Sequence, residues 1–335
     1  MIKVLIVDDS VSIQKMLSKI INNTQGMTVI GTASNPYEAI KLLKISKPDV
    51  ITLDIEMPGM SGLSFLKKLM HNMPLPVVMI SSLTQEGAEA TIKALSIGAI
   101  DFIGKKTLKT KSEKKAFVHE LRSKLKNAAK VNVKPHLNTG KNIPTKSNLA
   151  KNKTLIVIGA STGGVQALNQ LIKDFPLQTP PILIVQHMPK YFTKAFANTL
   201  NRISKITVKE GVNGEVLKNN TAYVAPGDYH MGVKKSKSQY IIEISQQPKV
   251  NRHRPSVDYT FHSIGKYYSS NAIAILLTGM GDDGARGMKF LKNKGVITIA
   301  ESEKSAIIFG MPQKAIQLKA VDHIFELKNM VQYLF

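Results

Sequence analysis

The sequence predicts an α/β protein of two domains, each built on a doubly wound parallel sheet, with an antiparallel β-hairpin inserted in the second. The 335 residues exceed one ordinary core and suit two domains. Short apolar runs alternate with segments whose apolar residues recur every three or four positions, as strands and helices require. A lysine-rich stretch of low periodicity interrupts this pattern. We therefore place domains at residues 1–128 and 154–335, joined by a basic flexible linker at 129–153.

The first domain alternates five predicted strands with five predicted helices, which indicates a parallel sheet covered on both faces. Pro36 can open a helix, and Pro48 and Pro74 mark helix ends. The predicted strands are Lys3–Val7, Met27–Ala33, Val50–Asp54, Val77–Ser81 and Ile100–Ile103. The predicted helices are Ser12–Asn22, Pro36–Ile45, Leu63–Met70, Glu86–Ile97 and Ser112–Ala128.

The second domain opens with strand Thr154–Ile158, a glycine-rich turn and helix Val165–Lys173. Residues 206–244 differ, because Asn213-Gly214 and Pro226-Gly227-Asp228 are turn signals between alternating strands. We interpret this stretch as an antiparallel insertion. The remaining predicted strands are Ile182–Val185, Ala272–Leu277 and Val296–Ala300, and the remaining helices are Thr193–Asn201, Ser256–Lys266 and Ala285–Lys292.

Composition limits the classes of function. The chain has no cysteine, which excludes disulfides and thiolate metal sites. No apolar run reaches the roughly 18 residues of a membrane span, and no signal peptide is readable, so we expect a cytoplasmic protein without membrane insertion. The net charge is +23, but residues 105–153 alone hold 15 Lys/Arg and two Asp/Glu. Phe117 is the one aromatic residue of that segment, which argues against single-stranded nucleic acid.

Three acidic residues follow or end strands of the first domain. Asp8 and Asp9 follow the first strand, and Asp54 ends the third. Ligands of open parallel sheets bind beyond the carboxyl ends of the strands, where converging carboxylates need a cation such as Mg²⁺. Ser81 ends the fourth strand and offers a hydroxyl, and Lys105 lies just past the fifth and offers an ammonium to a phosphoryl oxygen.

This pattern resembles the response-regulator receiver domain, which has a flavodoxin-like doubly wound fold, over about residues 1–128. The resemblance implies that Asp54 accepts phosphate from a histidine kinase and that Asp8, Asp9, Asp54 and the carbonyl of Glu56 hold Mg²⁺. It also implies that Ser81, Phe102 and Lys105 relay the change. Receivers usually carry proline after the lysine, whereas Lys106 stands here, so we expect the loop that carries Lys105 to sit differently.

The second domain contains a serine in a glycine-rich turn. Gly159–Gly164 reads G-A-S-T-G-G between a strand and a helix and satisfies G-x-S-x-G, which presents Ser161 as a nucleophile. The alternative is a dinucleotide phosphate loop, G-x-G-x-x-G, whose second glycine Ser161 replaces. That loop also needs an acid ending the next strand, where Gln186-His187 stands instead.

Two further segments complete a possible catalytic set. His187 lies at the carboxyl end of the next strand and can take and return the serine proton. The turn from Thr278 to Gly284 offers two carboxylates, Asp282 and Asp283, to orient the imidazole. The order Ser, His, Asp differs from the Ser, Asp, His order of α/β-hydrolases.

Together these segments resemble the catalytic domain of the CheB family of chemotaxis methylesterases. The matching stretches are Gly159–Gly164, Gln186–Pro189, Ala225–Asp228, Arg254–Asp258, Leu277–Ala285 and Phe309–Pro312. The resemblance implies Ser161 as nucleophile, His187 as general base and Asp283 as orienting acid. It further implies that the Met280 N–H binds the oxyanion and that Thr162 hydrogen-bonds the imidazole. Asp282 stands where the family has Asn or Asp.

The resemblance implies a phosphorylation-activated carboxylic-ester hydrolase that acts in chemotaxis adaptation. Its substrates would be glutamate methyl esters, and glutamines to be deamidated, on the cytoplasmic helices of methyl-accepting receptors. Without phosphate, the receiver is expected to cover the cleft. We expect no cofactor in the catalytic site and no nucleic acid as partner. The rival classes are a receiver with a DNA-binding output, which the net charge favours, and a nucleotide-dependent enzyme.

Overall fold

The computed structural model describes residues 1–105, 110–133, 149–237, 239–267 and 271–335. It divides into two compact units, residues 1–140 and 141–335. Lys106 and most of the predicted linker, residues 134–148, lie outside the described residues. Both units have the predicted α/β architecture, and we describe each by itself.

The first unit is a five-stranded parallel sheet in the order β2-β1-β3-β4-β5. Its strands are β1 (Ile2–Val7), β2 (Met27–Ala33), β3 (Val50–Asp54), β4 (Val77–Ser82) and β5 (Asp101–Lys105). Its helices are α1 (Val11–Asn22), α2 (Pro36–Ile45), α3 (Gly62–Asn72), α4 (Gln85–Ile97) and α5 (Lys111–Ala128). Strand β2 lies on one side of β1, whereas β3, β4 and β5 follow one another on the other side. The chain therefore continues in opposite directions from the neighbouring strands β1 and β3.

Local sequence explains these elements. Every residue of β3 is buried, because helices cover both faces of a parallel sheet. The helices begin at side chains that accept a hydrogen bond from the first turn. Asn35 accepts from the backbone N–H of Glu38 before α2, and Thr110 with Glu113 forms a capping box before α5.

The second unit is a seven-stranded parallel sheet, β14-β13-β12-β6-β7-β9-β8, with a separate antiparallel hairpin of β10 and β11. Its strands are β6 (Leu155–Ala160), β7 (Ile182–Gln186), β8 (Thr207–Glu210), β9 (Thr221–Val224), β10 (His230–Ser236), β11 (Gln239–Ser245), β12 (Ala272–Leu276), β13 (Ile297–Glu301) and β14 (His323–Phe325). Its helices are α6 (Gly164–Asp174), α7 (Phe192–Ile203), α8 (Val257–Tyr267), α9 (Ala285–Asn293), α10 (Met311–Gln317) and α11 (Leu327–Leu334). Leu155 and Val157 of β6 share a buried core with Phe261 of α8.

The interpretation of residues 206–244 as one antiparallel insertion is wrong in its extent. Strands β8 and β9 pair parallel to each other, and β9 pairs parallel to β7, so both belong to the main sheet. The hairpin consists of β10 and β11, and Val216, in the connection between β8 and β9, adds an antiparallel bridge to Ile241 of β11. Strands this short carry no periodicity that distinguishes parallel from antiparallel pairing, because the direction depends on which strand lies alongside.

Candidate functional sites

The second unit places its three predicted catalytic residues at one edge of the seven-stranded sheet. Ser161 directly follows β6, His187 directly follows β7, and Asp283 lies in the loop between β12 and α9. From β6 the chain proceeds to β7 on one side, and it later returns to β12 on the other. Loops diverge at such a reversal and leave a crevice beyond the carboxyl ends of the strands.

The side chains of these residues form a continuous relay. The Ser161 Oγ lies 3.1 Å from Nδ1 of His187, and Nε2 of His187 lies 2.8 Å from Oδ2 of Asp283. A hydrogen on Nε2 donates to the carboxylate and leaves the Nδ1 lone pair facing the hydroxyl. The geometry therefore suits transfer of the serine proton to the imidazole.

Of the two neighbouring carboxylates, only Asp283 belongs to this relay. Its side chain is 1% exposed, whereas Asp282 is exposed. Burial by itself would raise the pKa of Asp283, but the hydrogen bond and charge of His187 and the other donors outweigh burial and hold that pKa well below its usual range. Asp283 is thus an ionised acceptor for His187.

Asp283 also accepts hydrogen bonds from residues to which the sequence analysis gave no role. Its Oδ1 accepts from Nδ2 of Asn251 at 2.7 Å and from Oγ of Ser256 at 2.8 Å. The backbone N–H of Val257, which begins α8, donates to Oδ2 at 2.7 Å. A carboxylate at a helix N-terminus is favourable because that end carries partial positive charge. Ser256 before a helix is a readable capping signal, but nothing local links Asn251 to Asp283.

The loop after β12 is tied to the serine turn. The Thr278 carbonyl accepts from the backbone N–H of Ser161 at 3.0 Å, and the Thr278 hydroxyl donates to the Thr162 carbonyl at 3.0 Å. The backbone N–H of Thr278 donates to the buried carboxylate of Glu301 at 2.8 Å. Met280 lies two residues further on and is half-buried. The oxyanion role of Met280 and the imidazole contact of Thr162 stay predictions.

In the first unit, the predicted acidic residues converge at the ends of the neighbouring strands β1 and β3. Asp8, Asp9 and Asp54 each place one carboxylate oxygen within 4.8 Å of the others. The Lys105 Nζ lies 2.6 Å from Oδ2 of Asp54 and 3.3 Å from Oδ2 of Asp8. Burial first and the charge of Asp54 second raise the pKa of Asp8, although Lys105 opposes them.

These residues fit a divalent cation. The Lys105 ammonium lies 3.3 Å from the buried Oδ2 of Asp8, and no other described group donates a hydrogen bond to that oxygen. Clustered carboxylate oxygens are the ligands that Mg²⁺ prefers. Glu56 is exposed just beyond β3, and its backbone carbonyl as a further ligand stays a prediction.

The predicted switch residues lie on β4 and β5. The Ser81 hydroxyl is buried and receives a hydrogen bond from Oγ1 of Thr91 at 2.6 Å. The Phe102 ring is buried, with Nζ of Lys124 5.0 Å from its centroid. Thr91 and Lys124 were not identified from the sequence, because their contacts depend on how α4 and α5 pack on the sheet.

A receiver-like acidic site in one unit and a hydroxyl–imidazole–carboxylate relay in the other are typical of a phosphorylation-regulated hydrolase. Residues 4–116 match the family described as response regulator receiver domain, and residues 156–334 match the family described as CheB methylesterase. The chain is 43% identical to the protein-glutamate methylesterase/protein-glutamine glutaminase of Salmonella typhi, over 99% of this chain and 96% of that protein. The Escherichia coli K12 protein of the same name is 44% identical over the same shares.

Among solved structures, the CheB methylesterase catalytic domain of Thermotoga maritima is similar to this chain with a TM-score of 0.53 and 38% identity. The match covers 54% of this chain and 96% of that structure. The chain belongs to the family of protein-glutamate methylesterases/protein-glutamine glutaminases, with a response-regulator receiver domain at its N-terminal end. This membership decides against the DNA-binding and nucleotide-dependent alternatives. Within the described ranges, no helix has the length and apolar character needed to cross a membrane.

Proposed function

We propose that the chain demethylates glutamate methyl esters, and deamidates glutamines, on the cytoplasmic domains of chemoreceptors, with Ser161, His187 and Asp283 as its catalytic residues. The observation that carries this proposal is the relay from the Ser161 hydroxyl through His187 to Asp283, with distances of 3.1 and 2.8 Å. The relatives' names supply the substrate class.

The first half of the reaction forms an acyl-enzyme. The Ser161 oxygen attacks the ester carbonyl carbon as its proton passes to Nδ1 of His187. The Nε2 hydrogen bond to Asp283 stabilises the imidazolium. The carbonyl oxygen becomes an oxyanion, for which the Met280 N–H is the proposed donor. Collapse breaks the carbon–oxygen bond to the methoxy group, which takes the proton from His187 and leaves as methanol.

The second half restores the serine. A water molecule gives its proton to His187 and attacks the acyl carbon, and the Ser161 oxygen leaves and recovers that proton. The product is a glutamate side chain. A glutamine side chain follows the same steps and releases ammonia instead of methanol.

In this proposal the receiver domain controls the activity of the hydrolase. We propose that Asp54 accepts a phosphoryl group from the chemotaxis histidine kinase and that this relieves inhibition of the hydrolase. Asp8, Asp9 and the Glu56 carbonyl would hold Mg²⁺ together with Asp54, and the cation would offset the charge of the phosphoryl oxygens. Lys105 would pair with a phosphoryl oxygen, and Ser81 and Phe102 would respond to it.

Replacing the nucleophile tests the enzymatic proposal. Ser161→Ala removes the attacking oxygen, so we expect methanol release from membranes bearing methylated receptors to fall by at least about 10³-fold. The matched control is Ser204→Ala, because Ser204 follows α7 at the opposite edge of the same sheet and should leave the rate unchanged. Normal turnover by the Ser161 variant would refute the assignment.

A further inference from the structure

A tight turn before α8 contacts two members of the proposed catalytic relay. The backbone of Val250 and His253 closes the turn through two hydrogen bonds of 3.1 and 2.8 Å. Its central residues, Asn251 and Arg252, have φ of 50° and 69°. Left-handed backbone at two consecutive non-glycine residues is strained and persists where the surroundings determine it.

Asn251 anchors this turn. Its side-chain amide donates one hydrogen to Oδ2 of Asp258 and the other to Oδ1 of Asp283, each at 2.7 Å. Both acceptors are buried carboxylates. The amide therefore fixes the position of the turn relative to Asp283, the acid proposed to orient His187.

The anchored turn places a second imidazole on the proposed general base. The rings of His253 and His187 are parallel within 5°, with centroids 3.8 Å apart. During the reaction His187 alternates between imidazole and imidazolium, and a neutral aromatic face stabilises an adjacent cation. A second positive ring in that place would do the opposite.

The surroundings keep the His253 ring neutral. Burial first and the charge of His187 second lower the pKa of His253 to about 3. Arg252 and Lys249 lower it further, and Asp283 opposes them. At neutral pH, His253 is thus an uncharged aromatic plate against His187.

We propose that His253 is a positioning residue for the hydrolytic reaction. Its neutral ring fixes the plane of His187 between Ser161 and Asp283 and supports the imidazolium that forms when the serine is deprotonated. This role rests on the proposed function. The turn of residues 250–253 then supports catalysis by holding His253 against His187, a contact that the relay distances by themselves do not require.

Three substitutions separate stacking from mere packing. In His253→Ala we expect kcat for methanol release to fall roughly tenfold with KM within about twofold, because the transition state alone contains the imidazolium. His253→Phe keeps a flat aromatic face and should recover most of that loss. His253→Leu fills similar space without a π face and should stay near the alanine variant. The control is His323→Ala, which removes a histidine stacked on Phe325 in the edge strand β14 and should match the parent.

The outcomes are distinct. Parental kcat in His253→Ala, or equal rescue by leucine and phenylalanine, would overturn the proposal. If thermal unfolding of the full chain shows the alanine variant to be unfolded, the phenylalanine and leucine variants alone decide. Full activity of Ser161→Ala would instead refute the proposed function itself, whereas loss of activity there with a parental His253→Ala refutes only the stacking role.

Discussion

At the scale of the residue, the buried carboxylates Asp283 and Glu301 of the second unit differ in the direction in which their pKa is shifted. Asp283 is 1% exposed and accepts from His187, Asn251, Ser256 and the first backbone N–H groups of α8, and its pKa is lowered. Glu301 is fully buried, and hydrogen bonds from Thr278 and Ser305 only partly offset burial, which raises its pKa to about 7. The number and charge of the donors, more than depth, decide which carboxylate stays ionised.

Glu301 should therefore make stability depend on pH. Its pKa is higher in the folded chain than the ordinary 4.5, so the folded state binds the proton more tightly and stability falls as pH rises from about 5 to about 8. Glu301→Gln keeps an acceptor for the Thr278 N–H but cannot titrate. We expect the parent to lose about 2 kcal/mol more unfolding free energy than this variant between those pH values. Urea denaturation of both proteins measures this, and equal losses would contradict it.

At the scale of the element, the way a helix begins depends on what its N-terminus must contact. In the first unit, α2 and α5 begin with side-chain caps. In the second unit, α6 and α9 follow glycines with φ of 81° and 89°, Gly163 and Gly284. Glycine takes left-handed φ at little cost and lets the turn after a strand approach its neighbours closely. Both of these turns carry residues of the proposed relay.

A pair of glycines tests this account. Gly163 and Gly214 both have φ near 81°, but a Cβ at Gly163 would lie 2.7 Å from Cβ of Ile307, whereas one at Gly214 meets nothing within 4 Å. Gly214→Ala should cost about 1–2 kcal/mol for the left-handed backbone alone. Gly163→Ala should cost roughly 1–3 kcal/mol more because the site is crowded. Urea denaturation of the full chain gives both values. Equal costs would contradict this expectation, because the neighbours of Gly163 would then accommodate the added methyl group without loss of stability.

At the scale of the whole molecule, the two sheets place their proposed sites by the same topological rule. In each sheet there is a pair of neighbouring strands from which the chain continues in opposite directions, β1 and β3 in the first unit and β6 and β12 in the second. Each carries its proposed chemistry beside that pair, with Asp8 and Asp54 in the first and Ser161 and Asp283 in the second. Diverging loops leave room for a ligand there, and helix N-termini point toward it.

The proposed control couples the two units through phosphorylation. Asp54→Ala removes the phosphate acceptor, so acetyl phosphate with Mg²⁺ should no longer raise the rate of methanol release, while the basal rate persists. Chelation of Mg²⁺ should abolish the stimulation of the parent as well. The matched control is Asp49→Ala, since Asp49 precedes β3 at the other end of the strand and accepts from the Lys3 N–H. Equal stimulation of the Asp54 variant and the parent would contradict the proposed regulation by phosphorylation.

Much of the architecture could be read from the chain alone. Alternating apolar periodicities predict the strands and helices, and both glycine-rich turns are visible as short motifs, because these signals depend on residues close in sequence. The positions of Ser161, His187 and Asp54 at strand ends followed from that pattern. The antiparallel interpretation was wrong for β8 and β9, because strand direction depends on partners elsewhere in the chain.

The tertiary structure decided which groups meet. Asp282 and Asp283 are adjacent in sequence, yet only Asp283 is buried against His187, 96 residues away. Asn251, His253 and Glu301 gave no local signal and became visible only through their contacts with the relay and the loop after β12. Short-range sequence determines where the chain turns and which face of an element is apolar. Contacts between distant side chains depend on strand order and packing, which only the folded chain fixes.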